Sequence, residues 1–162
     1  MLIGPGDTDT RRSHTGFVLM FNGGPISWKS GRQDSVALST SEAEYMAASE
    51  GGKEVVYIRA ILQDFGYSQQ SPTNLYEDNL AAVAMSINPV HRKYSRHIDI
   101  RRHYVRELAL AGLIKLIPLG TYDMVADALT KSMSAPALMR HREVMMGHQR
   151  FQAFYARSLR EC

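Results

Sequence analysis

Residues 15 to 30 read Thr15-Gly16-Phe17-Val18-Leu19-Met20-Phe21-Asn22-Gly23-Gly24-Pro25-Ile26-Ser27-Trp28-Lys29-Ser30. The first half is a nearly continuous apolar run. The last five residues alternate apolar and polar, the pattern of a half-buried strand. Asn22-Gly23-Gly24-Pro25 between them predicts a hairpin turn, with Trp28 read as a strand core residue. Val36-Ala37-Leu38 follows as a third short extended piece. Ser39-Thr40-Ser41 then opens a long helical pattern, with Ser41 and Glu44 at capping-box spacing. Its apolar residues Met46, Ala47, Val55, Ile58, Ile61, Leu62 and Phe65 recur at helical intervals, Gly51-Gly52 marks an expected interruption, and Gly66 is the expected stop.

Further along, Asn74-Leu75-Tyr76-Glu77 predicts a strand and Leu80 to Ile87 an alanine-rich helix ending at Asn88-Pro89. Ile98 to Ala111 predicts another helix, stopped by Gly112. Leu113 to Ile117 predicts a strand ended by Pro118, and helices are expected over Met124–Lys131 and Pro136–Met146. Strands first, then alternation of strand and helix, give an α/β protein: a mixed sheet flanked by helices. Residues 1–146 form the expected domain and 147–162 a basic tail.

At 162 residues with 44% apolar and 22% charged side chains, the chain has an ordinary globular composition, not that of a disordered or collagen-like one. The single Cys162 excludes an intrachain disulfide and a cysteine-based zinc site. A reducing compartment is the simplest setting, and neither a secretory leader nor a membrane-length apolar run is read. The net charge of +3 hides an asymmetry. Residues 1–90 hold six Lys/Arg against ten Asp/Glu, a net −4, and residues 91–162 hold 13 against six, a net +7. Carboxylates on one side and a polyanion partner on the other are the functional expectation; a solvated basic face is the structural one.

Three acids stand out. Glu44 lies in the first turn of the long helix, Asp78 just past a strand end, and Asp127 in the first turn of a late helix. Oxygen ligands from such distant segments suit Mg²⁺ or Mn²⁺ better than zinc. Two such ions are able to activate a water and stabilise a leaving oxygen in phosphodiester hydrolysis. Each acid also has a structural reading, as a helix-dipole partner or an N-cap.

Six stretches follow one another in order: Asp9 to Phe17, Gly24 to Ser30, Val36 to Tyr45, Tyr76-Glu77-Asp78-Asn79, His97 to Arg101, and Ala126-Asp127-Ala128-Leu129-Thr130-Lys131. Together they resemble the ribonuclease H domain at the C-terminal end of a copia-type LTR retrotransposon polyprotein. The resemblance implies a five-stranded mixed sheet with helices on both faces and hydrolysis of the RNA strand of an RNA–DNA hybrid. It places the second, third and fourth metal-binding acids on Glu44, Asp78 and Asp127, with two Mg²⁺ or Mn²⁺ ions. It implies an RNA–DNA hybrid as substrate, the reverse transcriptase region of the same polyprotein as a possible neighbour, no membrane, and an intracellular setting, in cytoplasmic particles or the nucleus. A hybrid-cutting enzyme holds phosphate backbones through Lys and Arg. The candidates are Arg92, Lys93, Arg96, Arg101 and Arg102, with Lys29 and Trp28 as weaker ones. No role is fixed for His97 or Asp99.

One departure counts against activity. The family's first strand carries an acid that bridges both metals, yet Met1-Leu2-Ile3-Gly4-Pro5 stands at that place. The first strand is therefore expected to be missing or altered, as in an N-terminally truncated domain. Loss of a positioned catalytic group of this kind costs ~10²–10⁴-fold in rate. The alternative reading is a degenerate, non-catalytic module that kept the scaffold and binds nucleic acid.

Overall fold

In a computed structural model the chain is described at residues 13–33, 36–37, 40–80, 83 and 96–149, the side chains of 40, 41, 96–99 and 102 excepted. Strands β1 (His14–Phe21) and β2 (Gly24–Arg32) form an antiparallel hairpin. Asn22 (φ 49°) and Gly23 (φ 87°) make the turn. Two consecutive left-handed residues match the twist of the flanking strands, which is why Asn-Gly closes the hairpin so tightly. Trp28, expected inside, is 65% exposed. It lies on the face of β2 turned away from α1, where Ser27 and Glu54 are bonded at 2.6 Å on the other side.

Helix α1 runs from Thr40 to Asp64 without a break. The expected interruption at Gly51-Gly52 is absent, and at Gly52 the glycine serves packing. A Cβ on Gly52 would stand 2.8 Å from Leu108 Cδ1, whereas one on Gly51 would make an ordinary contact 3.6 Å from Leu75 Cδ1. The helix ends as Gly66 predicts. The Gly66 amide donates to Gln63 O at 2.9 Å and the Tyr67 amide to Leu62 O at 2.7 Å, with Gly66 at φ 84°, the two bonds of a Schellman stop.

Strands β3 (Thr73–Glu77) and β4 (Ile114–Pro118) pair in parallel, with helix α2 (Arg96–Leu110) lying between them in sequence. Two short 3₁₀ segments, Thr121–Asp123 and Val125–Leu129, replace the helix expected over 124–131. Helix α3 (Ala135–Met145) closes the described chain. His141 Nε2 donates to Tyr122 O at 3.1 Å, and the Arg140 guanidinium stacks 3.3 Å above the Tyr122 ring, fastening α3 to the first 3₁₀ segment. Val36 and Ala37 belong to no strand. Most of the expected 80–87 helix, the first twelve residues and the 150–162 part of the tail lie outside the described residues.

The main core joins β1, α1, α2 and β4 through Leu19, Ala48, Val55, Val105, Leu108, Ile114 and Leu116. A second cluster of Leu119, Met124 and Ala126 sits under Tyr76 of β3. The result is a mixed α/β protein with small sheets flanked by helices. Among the described residues the sheets number two, β1–β2 and β3–β4, where a single five-stranded sheet was implied. No helix among the described residues is long and apolar enough to cross a membrane.

Candidate metal centre

The start of α1 is almost wholly buried from Glu42 to Ser49. It is held there by Gln33, whose side-chain amide donates to Thr15 Oγ1 at 2.9 Å and to Ala43 O at 2.8 Å. One amide thus ties the hairpin to the helix beside Glu44. The small side chains Ala43, Ala47 and Ala48 let the helix approach the strands closely, which carries the Glu44 carboxylate inward. Strand β3 delivers the opposing groups. Its alternate residues Thr73, Leu75 and Glu77 share one face, and Leu75 packs on the core. Glu77, the last of that row, is 2% exposed.

Glu44, Glu77 and Asp78 offer carboxylate oxygens that all lie within 4.8 Å of one another. Glu77 Oε1 accepts the Asn79 backbone N–H at 3.2 Å, and Asp78 Oδ2 accepts the Thr121 hydroxyl at 3.1 Å. The Thr121 bond fastens the end of β3 to the first 3₁₀ segment and holds one oxygen of Asp78 in place. Among the described residues, Glu44 Oε2 is buried with no hydrogen-bond partner. A buried carboxylate oxygen in that state costs free energy unless a cation or proton satisfies it.

Three carboxylates in so small a space resist ionisation together. Burial and the neighbouring Asp78 charge push Glu44 up to about 7, although hydrogen bonds from the Asn79 and Glu77 side chains oppose the shift. Burial, with the Glu44 and Asp78 charges behind it, pushes Glu77 up to about 8. The arrangement therefore holds protons near neutral pH and would exchange them for a cation. All the donors are hard carboxylate oxygens, the set that Mg²⁺ and Mn²⁺ prefer. The residues fit such an ion.

Glu44 and Asp78 are thus brought together. Glu77 joins them unforeseen; the period-2 alternation of β3, which turns it to the same face as Leu75, was the signal that could have found it. Asp127 is not in the group. It lies in the second 3₁₀ segment, 1% exposed, with Lys131 Nζ 2.6 Å from its Oδ2. Its neighbour Ala126 lines the same cavity as Glu77.

Of the basic residues, Arg92 and Lys93 lie outside the described residues. Arg96 and Arg102 are on α2, their side chains not described, and Arg101 is half-buried on the same helix. Lys29 bonds Glu50 at 3.2 Å on the hairpin–α1 surface, remote in sequence from that helix.

No family model matches the chain, and no solved structure matches it. Over 126 residues, 78% of its length, the chain is 42% identical to the retrovirus-related Pol polyprotein from transposon TNT 1-94 of Nicotiana tabacum. Over 132 residues, 82% of its length, it is 33% identical to the corresponding polyprotein from transposon RE2 of Arabidopsis thaliana. A shorter match, 49% identity over 53 residues, joins it to the secreted RxLR effector protein 161 of Plasmopara viticola, covering 33% of this chain and 37% of that protein. The chain spans about 9% of the length of the two polyproteins.

Proposed function

From a chain homologous to one stretch of retrovirus-related Pol polyproteins of plant transposons, we propose a ribonuclease H-type domain that hydrolyses the RNA strand of an RNA–DNA hybrid. The observation that carries this reading is the convergence of Glu44, Glu77 and Asp78 from a helix start and a strand end. Glu44 and Asp78 would hold a divalent cation, Mg²⁺ or Mn²⁺, with Glu77 beside them. When bound, the cation offsets carboxylate repulsion and lowers the pKa of a bound water toward neutrality. Thr121 keeps Asp78 oriented, Asn79 does the same for Glu77, and burial keeps bulk water from screening the group. Helix α2, with Arg96, Arg101 and Arg102, would carry phosphate contacts, together with Arg92 and Lys93 just before it. Such contacts hold a duplex by its backbone and shape, as a hybrid requires.

One observation favours a second reading, a non-catalytic nucleic-acid-binding module. Lys131 holds Asp127, so a carboxylate expected to hold a second ion already faces an ammonium. The readings part in one assay: incubation of the chain with an end-labelled RNA–DNA hybrid and Mg²⁺ or Mn²⁺. The enzyme reading expects cleavage that is lost in Asp78→Asn and Glu44→Gln. Hybrid binding that weakens steeply with salt, with no cleavage, supports the module.

A further inference from the structure

Tyr122 is 71% exposed, yet it is held firmly. Its carbonyl oxygen accepts hydrogen bonds from His141 Nε2 at 3.1 Å and from the Arg140 guanidinium. His141 is fully buried, so this anchor belongs to the packed interior. The same guanidinium lies 3.3 Å from the centre of the Tyr122 ring and 3.9 Å from Asp123 Oδ1. A cation therefore covers one face of the ring. Exposure of 71% with that face covered leaves the opposite face open to solvent. A ring fixed in advance loses little further freedom when a ligand meets it.

The preceding residue links this ring to the carboxylate centre. Thr121 donates its hydroxyl to Asp78 Oδ2 at 3.1 Å, and Thr121 and Tyr122 share one 3₁₀ turn. Successive side chains of such a turn point about 120° apart, so Thr121 turns in to the centre while Tyr122 turns out. Consecutive Cα atoms are about 3.8 Å apart, and one strand of a duplex advances about 3.4 Å per nucleotide. A strand whose phosphate lies over Asp78 brings a neighbouring nucleotide to the ring. We infer that Tyr122 is a substrate-contact residue, its open face packed flat against a sugar of the strand held at the carboxylate centre. The inference deepens the nucleic-acid reading above and rests on it. In a duplex the bases are already stacked on one another, so the backbone offers its sugars to a protein ring. Sugar C–H groups carry slight positive charge and meet the negative face of the ring. Arg140 behind the ring adds a positive charge at the same place, which favours a polyanion there.

The test uses the full chain and a labelled RNA–DNA hybrid. Tyr122→Leu should weaken hybrid binding about tenfold, while Tyr122→Phe binds hybrid as wild type does and both variants keep the wild-type affinity for Mn²⁺. Where the hybrid is cleaved, the Tyr122→Leu loss should fall in KM with kcat little changed. Substitution at so exposed a position should leave the fold intact, which the Tm checks; Tyr122→Gln takes the place of Tyr122→Leu if that variant does not fold. Equal hybrid affinity of Tyr122→Leu and wild type overturns the inference. An equal loss in Tyr122→Phe does so as well, because the ring is then not the contact. A fall in Mn²⁺ affinity in step with hybrid affinity also overturns it, since the residue would then act through Asp78. Wild-type binding without cleavage, together with the Tyr122→Leu loss, defeats the ribonuclease reading and leaves the sugar contact standing. No hybrid binding by the wild type defeats both.

Discussion

Glu44, in the second turn of α1, and Glu77, the last residue of β3, meet as buried carboxyls, each linked to the other's protonation. Burial is the larger influence on both, so the pair resists double ionisation. The strand alternation and the helix start that bring them together are local features. Their juxtaposition is a property of the fold.

The first prediction concerns pH. Both folded-state values, about 7 and about 8, lie above the ordinary 4.5. Between these limits the folded chain binds more protons than the unfolded one, so stability falls as pH rises. The contribution is whole below about pH 4.5 and is lost as pH climbs through 7 and 8. Thermal unfolding without divalent ions should show a lower Tm at about pH 9 than at about pH 6, and Glu44→Gln should flatten the difference. A Glu44→Gln profile as steep as wild type would refute the assignment.

Gly52→Ala should destabilise the chain despite alanine's better helix propensity. The propensity gain is about 1 kcal/mol, but the new methyl would stand 2.8 Å from Leu108 Cδ1. Overpacking of this kind costs about 1–3 kcal/mol. Leu108→Ala in the same chain should relieve the clash, so the two losses should be less than additive in denaturant unfolding.

Lys131→Met removes the ammonium that lies 2.6 Å from the Asp127 carboxylate, itself 1% exposed. Breaking a buried pair from one side costs about 3 kcal/mol or more. Asp127→Asn added to Lys131→Met should restore most of that loss, because no buried charge is then stranded. Equal stability of wild type and Lys131→Met would show that the pair does not matter to folding.

Arg101 is the half-buried member of the basic set on α2. If it contacts phosphate, Arg101→Gln should weaken RNA–DNA hybrid binding across sequences alike and lower the slope of log affinity against log salt by about one. An unchanged slope in filter-binding titrations would move the interface elsewhere.

Much of this was legible in the residues. The hairpin turn, the stop of α1 at Gly66, the β4 strand ending at Pro118 and the α3 helix are set by local chemistry, and they formed where that chemistry put them. Gly51-Gly52 was misleading because a glycine pair reads as a break when viewed locally, while Gly52 serves to admit Leu108. Trp28 was misleading for a related reason, since alternation shows which residues share a face but not which face meets the core. Five residues around Asp127 are too few to separate a 3₁₀ turn from a helix, and the i+4 spacing of Asp127 and Lys131 does not by itself show that the two pair. Glu77 does not stand out in the sequence because an acid inside a short strand is expected at its exposed face. Only the helix packed opposite turns that face inward.

The most direct test of the carboxylate centre is a Mn²⁺ titration of the full chain followed by electron paramagnetic resonance, repeated on Glu44→Gln and Asp78→Asn. A saturable site that tightens as pH rises through about 7 to 8, and that is lost in both folded variants, is the predicted result. Mn²⁺ binding that is absent, or that persists unchanged in both variants, would contradict the account.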